Sequence, residues 1–452
     1  MCARLRHAGL VGRLCAALNS RGDIALTNEK HLGSGVRRRI RVRHSLIAAV
    51  LVTTMSNSVA TGSEDSGTSM LSFSGFGTLG VVHSSEDQAD FTSSIFSPNG
   101  AGHTRSWSAG VDSVVGAQII ANVTPRLSAM LQVISEQNYD GTYTPHVEWA
   151  NIKYQFTSDL SVRIGRTVLP SFLYSDTRKI GYANPWVRPP VEAYSLVPIG
   201  TSDGVDASYD LHFGEFLSTL VVAYGHETSG TPAGSNNEAR RLLVIADTIE
   251  HGPATVHVAY QQTYLTVNAL GALFDAFRQF GPQGAALADQ YGVNNRLIRF
   301  MGIGAMYNPG RWFVMGEWGV TNYESVLGKN SAWYASSGYR LGQFTPYLTF
   351  GGVRSDDSTS SPGLTVAALP PNLAQAAIGL NGALNSILSS SPDQKTISEG
   401  VRWDFVKNVD LKLQCNHIQL GAGSPGTLIN LQPGFKPGSI VNLFSAAIDF
   451  VF

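Results

Sequence analysis

Cysteine is nearly missing from this sequence. Its 452 residues contain three, Cys2, Cys15 and Cys415, too few for a disulfide framework or a cysteine-based zinc site. Charge is also scarce, at 14% of residues against about 25% in ordinary soluble domains. Long apolar runs are absent: no stretch of about 20 apolar residues is available for a membrane-crossing helix. No two histidines stand four apart as in HExxH, and neither a GxSxG elbow nor a GKS/GKT phosphate loop occurs. GFGTLG (Gly75–Gly80) has the glycines of a dinucleotide loop, but no helix pattern follows it, so it reads as small residues in a strand. Together these absences point away from an enzyme, a metal site and a cofactor.

The net charge of −1 hides an asymmetry. Residues 1–60 hold 10 Lys/Arg against 2 Asp/Glu, which leaves 22 against 31 in 61–452, a net of −9. The body therefore shows no basic surface for nucleic acid. At the front, RRRIRVRH (Arg37–His44) precedes the largely apolar SLIAAVLVTTM (Ser45–Met55) and then SNSVA (Ser56–Ala60). Charged block, apolar block and small residues in that order predict a secretory signal peptide within 1–60, cleaved after Ala60. Residues 1–36 are surplus to such a signal and fit a start codon assigned too early. A short segment, 61–71, precedes the body.

From residue 72 onward, segments of about ten residues alternate with period two, as strands do. Sixteen are expected: 72–83, 107–122, 127–136, 146–156, 160–168, 203–212, 216–226, 241–250, 254–264, 296–307, 311–322, 330–340, 343–354, 396–406, 409–419 and 439–452. The gaps between them alternate long and short. The short ones carry turn chemistry, such as TSD (Thr157–Asp159) and KN (Lys407–Asn408). Each strand has one apolar and one polar face: Val409, Leu411, Leu413 and Cys415 oppose Asp410, Lys412, Gln414 and Asn416. Aromatics gather beside the short turns, among them Tyr154, Phe156, Phe213, Phe216, Tyr307 and Trp312. These patterns predict an all-β, 16-stranded antiparallel up-and-down transmembrane β-barrel over 72–452. Short periplasmic turns and long extracellular loops would join strands apolar toward lipid and polar toward water.

With this strand count, the signal pattern and a final strand SIVNLFSAAIDFVF (Ser439–Phe452), the chain resembles the Gram-negative general porins. VRIGRTVLP (Val162–Pro170) followed by a long third loop is similar to their organisation, although their constriction-loop motif of the Pro-Glu-Phe-Gly-Gly type is absent. The resemblance implies residence in the bacterial outer membrane, contact with its lipid, and a homotrimer of water-filled channels that pass small hydrophilic solutes. It also implies that Phe452, supported by Phe450 and Ile448, is read by the barrel-assembly machinery.

In such chains the third long loop folds into the barrel and narrows it, so 169–202 is the expected constriction. Prolines 170, 185, 189, 190 and 198 stiffen it. Its candidate charges are Asp176, Arg178, Arg188 and Glu192. Arg163, Arg402 and Lys412 are the expected wall partners. Lys153, Asp206, Asp210, Glu317 and Asp404 are candidate lumen-wall charges. The expected arrangement sets Asp176 and Glu192 against Arg163, Arg402 and Lys412. The acidic excess favours cations. Apolar residues at helical spacing in Asn268–Gly281 and Asn372–Leu388 predict helices in two other long loops, as rim caps or packing between protomers. Two alternatives stay open: a substrate-selective channel of 16 to 18 strands, and a structural or adhesive barrel plugged by its loops.

Overall fold

The structure is a computed structural model describing residues 70–367 and 369–452. The signal pattern and nearly all of segment 61–71 lie outside the described residues. Sixteen long strands follow in order: β1 Leu71–Ser84, β2 Val114–Thr124, β3 Leu127–Glu136, β4 His146–Gln155, β5 Leu160–Val168, β6 Thr201–Phe213, β7 Phe216–Gly230 and β8 Asn236–His251. They continue as β9 Ala254–Val267, β10 Arg296–Tyr307, β11 Trp312–Asn322, β12 Lys329–Tyr339, β13 Phe344–Ser355, β14 Asp393–Val406, β15 Val409–Leu420 and β16 Ile440–Val451.

Every neighbour in sequence is an antiparallel neighbour in space. The sheet closes because β1 pairs with β2 from Leu71↔Ala121 to Thr78↔Val114 and with β16 from Phe76↔Val451 to Ser84↔Leu443. Closure removes both sheet edges, so each spanning strand finds its backbone partners inside the protein.

All sixteen expected strands are present, and the differences in their limits have local causes. The second begins at Val114, not 107. Trp107 and Ser108 only bridge to β1, and the chain bends away at 109–113. There Ser113 Oγ accepts from the Gly80 amide at 3.0 Å and Asp112 engages a loop arginine. Strands β7 and β8 run past the expected ends to a turn at 231–235, with register shifts at Gly225/Glu227 and Arg240/Leu243.

The faces are inverted relative to a soluble protein. On β13, Phe344, Leu348 and Phe350 are 47%, 41% and 43% exposed, while Thr345, Tyr347 and Thr349 between them are buried. On β15, Leu413 and Cys415 point out while Asp410, Lys412 and Gln414 are buried. At the short-turn end, exposed aromatics pair across or beside the turns: Tyr154 with Phe156 at 4.8 Å, Tyr307 with Trp312 at 5.5 Å, and Phe344 with Trp403 at 5.6 Å. This is the belt that a membrane–water interface favours.

Phe450 and Phe452 lie over Gly77 and Gly75 of β1, where any Cβ would meet the rings at under 2.5 Å. Gly75 and Gly77 of GFGTLG thus make room for aromatic rings of the closing strand, while Gly80 faces Asp112. Phe452 also hydrogen-bonds backbone to backbone with Gly75, and Ile448 pairs with Leu79 on the same outward face.

Above the long-loop end, α2 (Gly271–Arg278), α3 (Gly281–Tyr291) and α4 (Pro371–Ser389) follow a four-residue helix, α1 (Val191–Tyr194), in the third loop. The first three bury Phe274, Phe277, Ala288, Ala377, Leu384 and Leu388 against one another and against Leu265, Ile298 and Val326. Both expected loop helices therefore exist, and they form an apolar cap on the rim.

Candidate functional site

The loop between β5 and β6, residues 169–200, lies inside the barrel. Its second half is tied to inward-facing wall residues nearly everywhere it passes. The Trp186 indole N–H donates to Ser336 at 2.9 Å and Thr349 at 3.0 Å. The Val187 amide donates to Gln414. Arg188 donates to Asp112 at 2.6 and 2.7 Å and to Ser445 at 2.7 Å, with its guanidinium over the Phe91 ring. Leu169, Phe172, Trp186, Tyr194, Leu196 and Val197 pack with Phe300, Phe313, Met315, Tyr334 and Tyr347 of the wall. Rings fix the contact: Phe172 stacks on Tyr194 at 4.5 Å, and Trp186 meets Tyr334 edge-on at 5.6 Å.

Polar anchors hold both halves of the loop. Glu317 on β11 accepts from the Leu173 amide at 2.9 Å and from the hydroxyls of Tyr194 and Tyr334 at 2.9 and 2.8 Å. Glu192 accepts from Gln394 at 2.7 Å and from the Thr396 hydroxyl. Lys412, fully buried, donates to the Gly181 carbonyl at 2.6 Å and pairs with Asp449 at 2.9 Å. Arg402 donates to the Tyr182 carbonyl at 2.7 Å and pairs with Asp404 at 2.8 Å and Asp410 at 3.1 Å. An unpaired buried charge is costly, so these groups are retained as a network.

This geometry differs from the charge arrangement read from the sequence. Arg402 and Lys412 grip backbone carbonyls of the loop, and their carboxylate partners are Asp404, Asp410 and Asp449 on the wall. Glu192 faces neutral Gln394 and Thr396, and Arg188 is buried in a clamp. Of the expected opposition, only Asp176 near Arg163 is present: Asp176 stays exposed to lumen water, within electrostatic reach of the Arg163–Asp206 pair, itself 2.8 Å apart. Asp210 accepts from Thr219 at 2.8 Å, and Lys153 is exposed opposite Arg163 in the β4–β5 ladder.

One side of the loop, with residues from both of its halves, borders a space of about 600 Å³ left open toward the wall at β3, β4 and β7. Arg178 and Lys179 come from the loop. Glu136, His146, Glu148 and Glu227 come from the wall. Lys179 donates to both oxygens of Glu136 at 2.6 Å. His146 lies 4.0 Å from both Glu136 and Glu148. Glu227 lies 3.8 Å from Arg166, which is held by Asp203 at 2.6 Å. The Arg178 guanidinium lies over the Tyr194 ring, 5.6 Å from its centre.

None of the wall residues in this ring was singled out from the sequence. The reason is a change of phase. A bulge at Gln132/Val133 shifts β4 by one residue, so that His146 and Glu148 line the space while Trp149, Asn151 and Lys153 follow the other parity. A bulge inserts one residue and re-aims its neighbours. Farther along, Gly165, Gly204 and Gly225 sit side by side across β5, β6 and β7. A Cβ on Gly165 or Gly204 would stand 2.2 or 2.1 Å from a backbone oxygen. Three glycines at matched positions in adjacent strands were the available signal.

A closed sixteen-strand sheet, apolar outside, with its third long loop folded inside, defines the fold of the outer-membrane porins. Among solved structures with this fold, Salmonella typhi OmpF in complex with daunomycin is 11% identical, with 84% of this chain and 97% of that one covered and a TM-score of 0.51. The outer membrane channel DcaP of Acinetobacter baumannii is 11% identical over 85% and 99% of the two chains, at a TM-score of 0.49. An anion-selective porin from Comamonas acidovorans is 12% identical over 84% and 99%, also at 0.49. No family model matches the sequence, and no curated protein matches it. At such identity the likeness to OmpF is one of fold.

Proposed function

We propose that this chain is a porin of the bacterial outer membrane, a passive channel for small hydrophilic solutes and ions. The observation that carries the reading is the third loop: fastened to the wall at points along its length, it narrows the lumen but leaves a charged space of about 600 Å³ on one side. No bond-making chemistry is needed, only water, shape and charge. The apolar outer faces and the aromatic belt fit contact with lipid.

The ring around the opening tilts acidic. Asp112, Glu136, Asp140, Glu148 and Glu227 stand against Arg178, Lys179 and Arg188, so cations are favoured over anions. The same reading includes a homotrimer, a secretory signal within 1–60, and recognition of the closing strand at Ile448, Phe450 and Phe452 by the assembly machinery.

Purified protein in planar bilayers tests it. Steady ohmic steps with a cation-selective reversal potential in a salt gradient support the proposal. Absence of current identifies a plugged barrel, and clear anion preference overturns the charge argument. A substrate-selective channel is favoured by one observation, the tight apolar packing that confines the opening to one side. Solute-blockable current marks it.

A further inference from the structure

The charges around the opening do not all cancel. Lys179 is taken up by Glu136, and Arg166 by Asp203. Arg178 is left over: among the described residues no hydrogen bond or ion pair reaches its guanidinium, which rests only on the Tyr194 ring. Glu148 and Glu227 are left over on the other side. Neither accepts a hydrogen bond among the described residues; the basic side chains in contact are the His146 imidazole, 4.0 Å from Glu148, and Arg166, 3.8 Å from Glu227. Their side chains are only 14% and 11% exposed, and one oxygen of Glu227 is buried without a donor. All three groups line the same space, the cation from the loop and the acids from β4 and β7.

We propose that this space is a binding site for small zwitterions, molecules with an ammonium at one end and a carboxylate at the other. The inference rests on the channel reading above. A carboxylate meets the Arg178 fork, and an ammonium meets Glu148 and Glu227. Each charge-assisted contact replaces water lost on entering the narrow lumen. A simple cation gains the acids but faces Arg178. A simple anion gains Arg178 but faces two carboxylates. A neutral solute replaces neither hydration shell. The order of preference is therefore zwitterion, cation, neutral, anion.

Four molecules of nearly equal size separate these cases: 4-aminobutyrate, 4-aminobutyramide, 4-hydroxybutyramide and 4-hydroxybutyrate. The full-length protein is first shown to carry KCl current in a planar bilayer, then its proteoliposomes are swollen in each solute. The zwitterion should enter about tenfold faster than the neutral compound, the worth of one charge-assisted hydrogen bond. Arg178→Gln should reduce that ratio to about twofold or less, and Arg178→Lys, which keeps the charge, should restore part of it. The double variant E148Q/E227Q should lose it as well, whereas Arg278→Gln on the rim should not. Equal entry of zwitterion and neutral solute in a conducting wild-type channel overturns the proposal, as does a ratio that survives both Arg178→Gln and E148Q/E227Q. A wild-type protein that carries no KCl current overturns the channel reading itself, and this proposal with it.

Discussion

The indole nitrogen of Trp186 stands 2.9 Å from the hydroxyl of Ser336 on β12, 150 residues away in the chain. That bond joins the middle of the third loop to the far wall, with the ring buried among Tyr174, Tyr334 and the loop's own apolar residues. Trp186→Ala removes both the bond and the ring, and should cost about 3–5 kcal/mol of loop anchoring. Larger conductance steps and more open-channel noise are the expected readout. Trp186→Phe should cost about 1 kcal/mol, because Ser336 and Thr349 still bond each other at 2.7 Å. If single-channel records of the alanine variant match wild type, the loop is not held there.

Lys412 is the next test. It is fully buried between Asp410 and Asp449 and holds the Gly181 carbonyl. Lys412→Met leaves the buried Asp449 without a cation, while Asp410 keeps Arg402 at 3.1 Å; the cost should be about 3–5 kcal/mol. Adding Asp449→Asn should recover part of that loss. The folded band surviving heat on detergent gels measures both, and an equal loss in single and double variants would refute the pairing.

Asp90 sets a pH limit on the loop surface. It is fully buried between the first long loop and the segment at 429–432. Burial alone pushes its carboxyl up, but hydrogen bonds from Asn430 and from the hydroxyl and amide of Thr104 outweigh this and hold it below the usual carboxylate range. A depressed folded value means that its stabilisation is fully present above the unfolded value of about 3.9 and is lost as pH falls through the folded one. Amide exchange around residues 88–105 and 429–432 should be flat from neutral pH down to about pH 5, after correction for intrinsic rates, and should rise below about pH 4. Asp90→Asn should abolish that rise. A rise already evident near neutral pH would contradict it.

Gly204 provides a backbone test. Its missing Cβ would sit 2.1 Å from the Tyr224 carbonyl oxygen, a contact that only backbone movement relieves. Gly204→Ala should therefore cost several times more than the roughly 0.5 kcal/mol of an ordinary surface change. It should also disturb the neighbouring Arg166–Asp203 pair. Equal folding yields for Gly204→Ala and wild type would dismiss the close approach.

The wall was legible in the sequence because a strand between lipid and water must alternate, and the alternation needs only local information. Leu411, Leu413 and Lys412 declare their faces by parity alone. The turns were legible for a related reason: Asn408 adopts φ of +65° in KN, a conformation that asparagine tolerates. The opening was much less legible. Which carboxylate meets which cation depends on residues far apart in the chain, as with Lys179 and Glu136 or Arg188 and Asp112. Parity also misleads wherever a bulge shifts the phase, as it does beside Glu148 at Gln132/Val133 and beside Glu227 at Gly225/Glu227. Charge alone sets the loop acids Asp176 and Glu192 against wall cations, but Arg402 and Lys412 bind loop carbonyls and the wall carboxylates Asp404, Asp410 and Asp449.

The seam between β1 and β16 unites the first and last strands of the barrel; Thr78 and Asp449, hydrogen-bonded there, are 371 positions apart. A polypeptide still lacking its last strand is an open curtain with two raw borders, each ready to pair with a stranger. Such an intermediate needs shelter from its own kind until the final hem is sewn, so manufacture of this molecule is all or nothing.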